Sequence, residues 1–174
     1  SEMCIRDRLY DTSGRLEPGH EVKEEYKQHY TSDGGVECDP DQLLNLTLKA
    51  LRGLIQLTDR KLRAQIAAVG ISCFWHAIMG IDSNGDAVTA LYSWADTRPS
   101  VEVPALNKTF DTAKYHAATG AFIHPCFWPA KIEWLRKTHP KASKIARWIS
   151  FRDILLSSSA ASARHRSRLR RRRG

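Results

Sequence analysis

The feature that most constrains this chain is a change of hydrophobic period in its first half. Leu43, Leu44, Leu46, Leu48, Leu51, Leu54, Ile55 and Leu57 recur as a broad helical stripe reaching to about Thr58. Ahead of it stands Gly34-Gly35-Val36-Glu37-Cys38-Asp39-Pro40. That is a turn, with Asp39 as N-cap and Pro40 at the first helical position. Shortly afterwards, residues 65–73 form an apolar, partly β-branched run without helical spacing, which predicts a buried strand. A chain that switches period in this way is neither a bundle nor a sandwich. It predicts an α/β or mixed-sheet domain.

The flanking residues extend this pattern. Leu9-Tyr10-Asp11 followed by Thr12-Ser13-Gly14-Arg15 reads as a strand end entering a turn, and Val22 and Tyr26 mark a charged edge strand. Residues 77–82 predict a second strand. Asn84-Gly85 then supplies a hairpin turn, and residues 87–94 return. Helical character lies between Val101 and Thr119, a break at 120–125, a helix over 130–137 ending before Pro140, and a short strand over 145–150. No apolar stretch is long enough to cross a membrane. Cys4, Cys38, Cys73 and Cys126 show no paired spacing, as expected of reduced thiols in a cytoplasmic protein.

The net charge of +8 hints at nucleic acid until it is divided along the chain. Seven of the 27 basic residues are arginines within 157–174, which holds no acid, leaving 20 basic against 19 acidic residues elsewhere. The folded part is near neutral, and no nucleic-acid partner is expected for it. The Ser/Ala/Arg tail has three readings: an RNA-binding or targeting tail, a solvated disordered tail, or an out-of-frame translation of GC-rich DNA. Its abrupt start after an amphipathic segment over 148–156 favours the third. Residues 1–8 have no hydrophobic period and resemble a translation of TCG GAG ATG TGT ATA AGA GAC AG, a transposon-type sequencing adapter. The expected organisation is therefore a foreign segment over 1–8, a partial domain over 9–156, and a tail over 157–174.

Three clusters have the residue types of a binding site. Gly70-Ile71-Ser72-Cys73-Phe74-Trp75-His76 is a strand leaving the core and ending in an aromatic and a histidine. Ligands of open α/β sheets sit beyond strand ends, so His76 is placed to hydrogen-bond one. Trp94-Ala95-Asp96-Thr97-Arg98, if extended, puts Trp94, Asp96 and Arg98 on one face. An aromatic platform beside a carboxylate and a guanidinium suits a polyhydroxylated ligand. Residues 120–131 form a proline-bounded loop entering a helix. The plainer readings are that His76 is an ordinary satisfied histidine and that Trp75 and Trp94 are core. A zinc site from Cys73, His76, His124 and Cys126 does not fit finger spacing, and no metal is expected. No Walker A loop, nucleophile elbow or HExxH helix is present.

The order of these motifs is more specific than any one of them. G-I-S-x-x-x-H-x-x-M-G-I-D-x-x-G, L-Y-S-W-A-D-T-R, T-G-x-x-I-H-P-x-x-x-x-A-K-I-x-W-L and I-S-F-R-D-I-L-L follow one another, after L-Y-D-x-x-G-R and G-G-V-E-x-D-P. The succession resembles the N-terminal domain of the FGGY carbohydrate kinases and is most similar to the gluconokinase and xylulokinase-like branch. The resemblance implies an actin-like ATPase, ribonuclease-H-like α/β fold, with two domains closing over a sugar and ATP. It implies that Trp75 and His76 contact sugar hydroxyls and that Trp94 with Arg98 walls the same pocket, for a small-molecule sugar or sugar acid, with Asp96 of the same cluster kept as a substrate-binding candidate. Cys126 stands where glycerol-kinase relatives carry a tyrosine, and Trp75 where a methionine is usual. By the same resemblance, the D-x-G-T phosphate hairpin, the catalytic aspartate of a later G-x-x-D motif and the adenosine domain are not within this chain. ATP and Mg²⁺ are then expected of a parent kinase and not of these residues. The rival expectation is a non-catalytic sugar-binding or interaction module with a basic RNA-binding tail.

Overall fold

The computed structural model describes residues 3–157. The arginine-rich stretch from 158 onward, with the readings of it as a tail, lies outside the described residues. Two compact units are present, one built from residues 3–28 and 39–72, the other from 29–38 and 73–157. Together they give the expected mixture of helix and sheet.

The first unit pairs β1 (Met3–Tyr10) with β2 (Leu16–Tyr26) as an antiparallel ribbon, in one register from Met3 opposite Tyr26 to Arg8 opposite Glu21, with a shift before Tyr10 meets Leu16. The turn between them follows the sequence expectation. The Asp11 carboxylate accepts from the Ser13 and Arg15 amides at 2.8 and 2.9 Å, and Gly14 supplies φ +82°. Residues 3–8, read on sequence as a foreign segment without a hydrophobic period, form most of β1. A ribbon needs only backbone pairing and cross-strand side-chain pairs, here Arg8 with Glu21, and not a hydrophobic period.

Helix α1 (Pro40–Leu57) packs on both strands. Asp39 caps it as expected, accepting from the Asp41 and Gln42 amides, and the Thr58 amide closes the other end on the Leu54 carbonyl. The stripe read from the sequence is wider than the covered face. Leu43, Ala50 and Leu54 are buried, while Leu51, Ile55 and Leu57 remain exposed. After the single turn of α2 (Arg60–Arg63), the structure departs from expectation. Residues 65–73 are not a buried strand but irregular chain, with Ile66, Val69 and Ile71 exposed. Apolar β-branched composition favours a strand only where a neighbouring strand completes the ladder. Among the described residues, none pairs with this run.

The second unit holds β3 (His29–Tyr30), β4 (Val36–Cys38) and β6 (Leu91–Tyr92) in one antiparallel sheet, and β5 (Met79–Ile81) with β7 (Arg147–Ile149) in another. Asn84-Gly85 makes the expected hairpin. The Asp82 carbonyl accepts from the Gly85 amide, its carboxylate accepts from the Asp86 amide, and Gly85 takes φ +94°. The expected helical region resolves into a 3-10 turn at Arg98–Glu102, α3 (Val103–Thr109) and α4 (Thr112–Thr119). Gly120 ends α4 in the left-handed conformation. Helix α5 (Trp128–Thr138) stops before Pro140, and residues 151–157 are helical. Ile78, Tyr92 and Leu135 form the core, with Ala90, Trp128, Ile132, Trp134 and Trp148 packed around them. No disulfide joins any of the four cysteines, and no described helix is long and apolar enough to cross a membrane.

Candidate functional site

The hairpin's register brings two of the three clusters together. Ile78 and Tyr92 exchange both backbone hydrogen bonds, at 3.1 and 2.9 Å. Continued two positions, that register sets His76 across from Trp94. Both ends leave the sheet as turns, one at Trp75-His76 and the other at Trp94-Ala95. Their tryptophans face outward: Trp75 is 79% and Trp94 is 59% exposed. Neither is the core residue that the plainer reading expects.

His76 is held tightly. It has φ +62°, the single positive value for a non-glycine among the described residues. Such a conformation costs roughly 1 kcal/mol or more and persists where surrounding contacts fix it. Here the ring meets Phe127 edge-on at 4.5 Å and packs beside Trp75 at 5.4 Å. The His76 carbonyl accepts from Lys131 Nζ at 2.9 Å, and the same ammonium donates to the Ser93 carbonyl at 2.6 Å. Burial, and then the Lys131 charge, push the imidazole below its ordinary value, so it is neutral at pH 7. A neutral imidazole offers one donor and one acceptor, which matches a sugar hydroxyl.

Asp96 and Arg98 do something else. The segment is not extended: Trp94 lies in a turn and Arg98 opens a 3-10 turn, so the three side chains do not share a face. Asp96 is 1% exposed. It accepts from Arg98 Nη2 at 2.6 Å and Nε at 3.1 Å, and from the Arg98 and Val36 amides. Arg98 also reaches Glu37 at 2.9 Å and lies over the Tyr92 and Trp134 rings, 5.5 and 4.8 Å from their centroids. Asp96, and then Glu37, hold the guanidinium firmly protonated. Gly35 permits this approach, since a Cβ there would meet Arg98 Cζ at 2.4 Å. Burial and the neighbouring Glu37 push the Tyr92 phenol up to about 12. This is an internal brace in which two carboxylates already engage the Arg98 guanidinium.

The third cluster contributes Phe127 to the His76 contact, and Cys126 Sγ lies 3.1 Å from His124 Nδ1. Burial pushes the Cys126 thiol up, so it is a thiol and not a thiolate. Among the described residues, no three His, Cys, Asp or Glu side chains gather as a metal ion would require. The residue to which sequence reasoning gave no role, although it closes the third cluster, is Lys131. Its signal was present: it falls between Phe127 and Leu135 at helical spacing, on the stripe that carries the apolar face.

Comparison with known proteins fits this picture. The FGGY family of carbohydrate kinases, N-terminal domain, matches residues 5–159. The chain is 30% identical over 131 residues to glycerol kinase 1 of Pseudomonas aeruginosa, covering 74% of this chain and 26% of that protein. It is 24% identical over 128 residues to the gluconokinase of Bacillus licheniformis, covering 72% and 24%. It thus spans about a quarter of the length of the curated relatives it matches. Among solved structures, the gluconate kinase of Lactobacillus acidophilus superposes with TM-score 0.76 at 23% identity, over 88% of this chain and 30% of that one. A xylulose kinase from Brucella ovis gives 0.77 at 21% identity, over 87% and 30%. At such identities the likeness is one of fold, the actin-like ATPase fold of the sugar kinases. A family match across residues 5–159 makes this chain a member of the FGGY family of carbohydrate kinases, carrying sequence of its N-terminal domain.

Proposed function

We propose that this chain supplies part of the sugar pocket of an ATP-dependent kinase acting on a small polyhydroxylated substrate, a sugar or sugar acid such as gluconate or xylulose. The observation that carries the reading is the pair of exposed tryptophans on the turns at 75–76 and 94–95, with a neutral His76 locked beside one of them. Indole faces pack on the C–H faces of a sugar, and the imidazole meets a hydroxyl. Asp96 and Arg98 belong to the pocket as its support: their brace fixes where β6 ends and Trp94 begins. Trp75, His76 and Trp94 are the groups that touch substrate.

A phosphate donor and its metal are a different matter. Three of the described helix starts are closed to them. Helices α1, α2 and α4 begin with the carboxylates of Asp39, Asp59 and Asp111, which occupy the amide ends and repel a phosphate. Among the described residues, no three His, Cys, Asp or Glu side chains gather to hold a metal ion by themselves. No step of phosphoryl transfer is therefore assigned to these side chains, and the chain alone is expected to release no ADP from ATP with any sugar.

The test has two arms. Tryptophan fluorescence of the chain, titrated with gluconate, xylulose and glycerol, should report saturable binding of at least one, weakened by His76→Ala and by Trp94→Phe. Grafting residues 9–156 for the matching stretch of a gluconate kinase should give sugar-dependent ADP release that His76→Ala impairs without lowering the melting temperature in proportion. Absence of binding to all three sugars, together with unchanged kinetics in the His76→Ala graft, overturns the reading.

A further inference from the structure

Lys131 lies one helical turn after Phe127 and one before Leu135, and its side chain is 0% exposed. No carboxylate among the described residues lies within ion-pair distance of its ammonium. The negative charge it feels most is Asp96, which Arg98 already holds. Nζ instead donates to two main-chain carbonyls, His76 at 2.9 Å and Ser93 at 2.6 Å. An ammonium removed from water without a counter-ion is costly, and an apolar residue of similar length would fill the same space without that cost. What the lysine adds is two charge-assisted bonds, one to each turn that carries an exposed tryptophan.

We propose that Lys131 is a positioning residue, a clamp that ties the Trp75-His76 turn to the Ser93-Trp94 turn and so presets the aromatic wall for its ligand. That the ligand is a sugar rests on the function proposed above; the clamp itself does not. The held geometry includes the left-handed His76, whose carbonyl is one of the two acceptors. A floppy wall would have to be ordered at the expense of ligand affinity, whereas a clamped one is ready.

The clamp has a proton dependence. The groups facing Nζ are His76 before β5, Asp96 with its partner Arg98 after β6, and Cys126 with His124 before α5. Burial pushes Lys131 down to about 8, against the opposing pull of Asp96 and Cys126. His76 titrates below its ordinary 6.5, and Cys126 above its ordinary 9.0. Between them, the change near 8 belongs to Lys131. Above it the amine keeps two N–H donors but loses its charge, and both bonds weaken.

The experiment follows the two indole N–H signals of the full chain by NMR, assigned with Trp75→Phe and Trp94→Phe, from about pH 6 to 10 with no sugar present. In the wild type both signals should move together with a midpoint near 8. Lys131→Met should abolish that transition and broaden both signals while the melting temperature stays level or rises, because a buried charge has been removed. Affinity for gluconate or xylulose should fall about tenfold in the same variant. Wild-type indoles flat across pH 8 overturn the clamp, and need no variant that folds. An unchanged spectrum in a folded Lys131→Met does the same. Wild-type signals that titrate together in a chain that binds none of the sugars support the clamp and count against the sugar reading alone.

Discussion

In the unit of residues 29–38 and 73–157, Ile78, Met79 and Leu135 are wholly inaccessible, and even its buried charges are matched or hydrogen-bonded. In the unit of 3–28 and 39–72, a helix lies on a two-stranded ribbon and leaves Leu51, Ile55 and Leu57 open to solvent. The run after it leaves Ile66, Val69 and Ile71 open as well. The two stretches look equally apolar in the sequence. They differ in whether a second layer closes over the apolar face. A three-residue strand such as β5 is stable because β7 and the Tyr92 bridge flank it, while the longer run at 65–73 has no neighbour and forms no strand.

The sharpest way to break this contrast is in the two cores. Leu135→Ala removes a side chain from a closed cluster and should cost about 2–5 kcal/mol in urea unfolding. Leu57→Ala should stay within about 0.5 kcal/mol. Equal losses at the two positions would mean that the first unit has a closed core after all.

Arg98→Ala should come next, at the lower end of the roughly 3–5 kcal/mol expected when a buried pair loses one member, because Asp96 stays buried without its partner. In the first unit, Lys49→Ala breaks an exposed pair with Glu24 at 2.9 Å and should cost no more than about 1 kcal/mol. Thermal melts of both variants make the comparison. An Arg98→Ala chain as stable as Lys49→Ala would return Arg98 to a purely ligand-binding role.

Asp39→Ala deletes the cap of α1 and should lower stability by about 1 kcal/mol, read from the same melts. His76 gives a smaller, pH-dependent term. Its folded value lies below 6.5, so the unfolded chain takes up a proton first as pH falls. The contribution is fully present above about 6.5 and is lost on acidification towards the folded value. His76→Gln should flatten the melting temperature of the second unit over that window.

The smallest effect on folding should come from Val69→Lys with Ile71→Lys, within about 0.5 kcal/mol at each exposed position. Their effect on association should be plain. An unpaired apolar run is a template for another copy, and two charges on it should suppress concentration-dependent light scattering. Scattering unchanged by the pair would place the liability elsewhere.

The site was half legible in the sequence. Trp75, His76 and Trp94 were singled out because ligands of open sheets sit beyond strand ends and an indole offers a platform for one, and the hairpin read from Asn84-Gly85 does bring their turns together. Asp96 and Arg98 were chosen on an assumed extended geometry. In the fold they spend their charges on each other and on Glu37, which is distant in sequence. Lys131 stood at the end of the third cluster without a role, because nothing local to it shows two carbonyls waiting 38 and 55 residues away.

By itself the sequence determined what depends on near neighbours: the Asp39-Pro40 start of α1, the Asp11 and Asn84-Gly85 turns, the Gly120 stop, and the end of α5 before Pro140. Each is a contest between hydrogen bonds a few residues apart, so the residues on the spot decide it. Only the tertiary structure decided that residues 65–73 stay unpaired, that residues 3–8 join a ribbon, and that a lysine rather than an arginine sits beneath the tryptophan turns. Those outcomes depend on which distant groups arrive to satisfy a backbone or a charge. A strand or a buried cation is stable only through such partners.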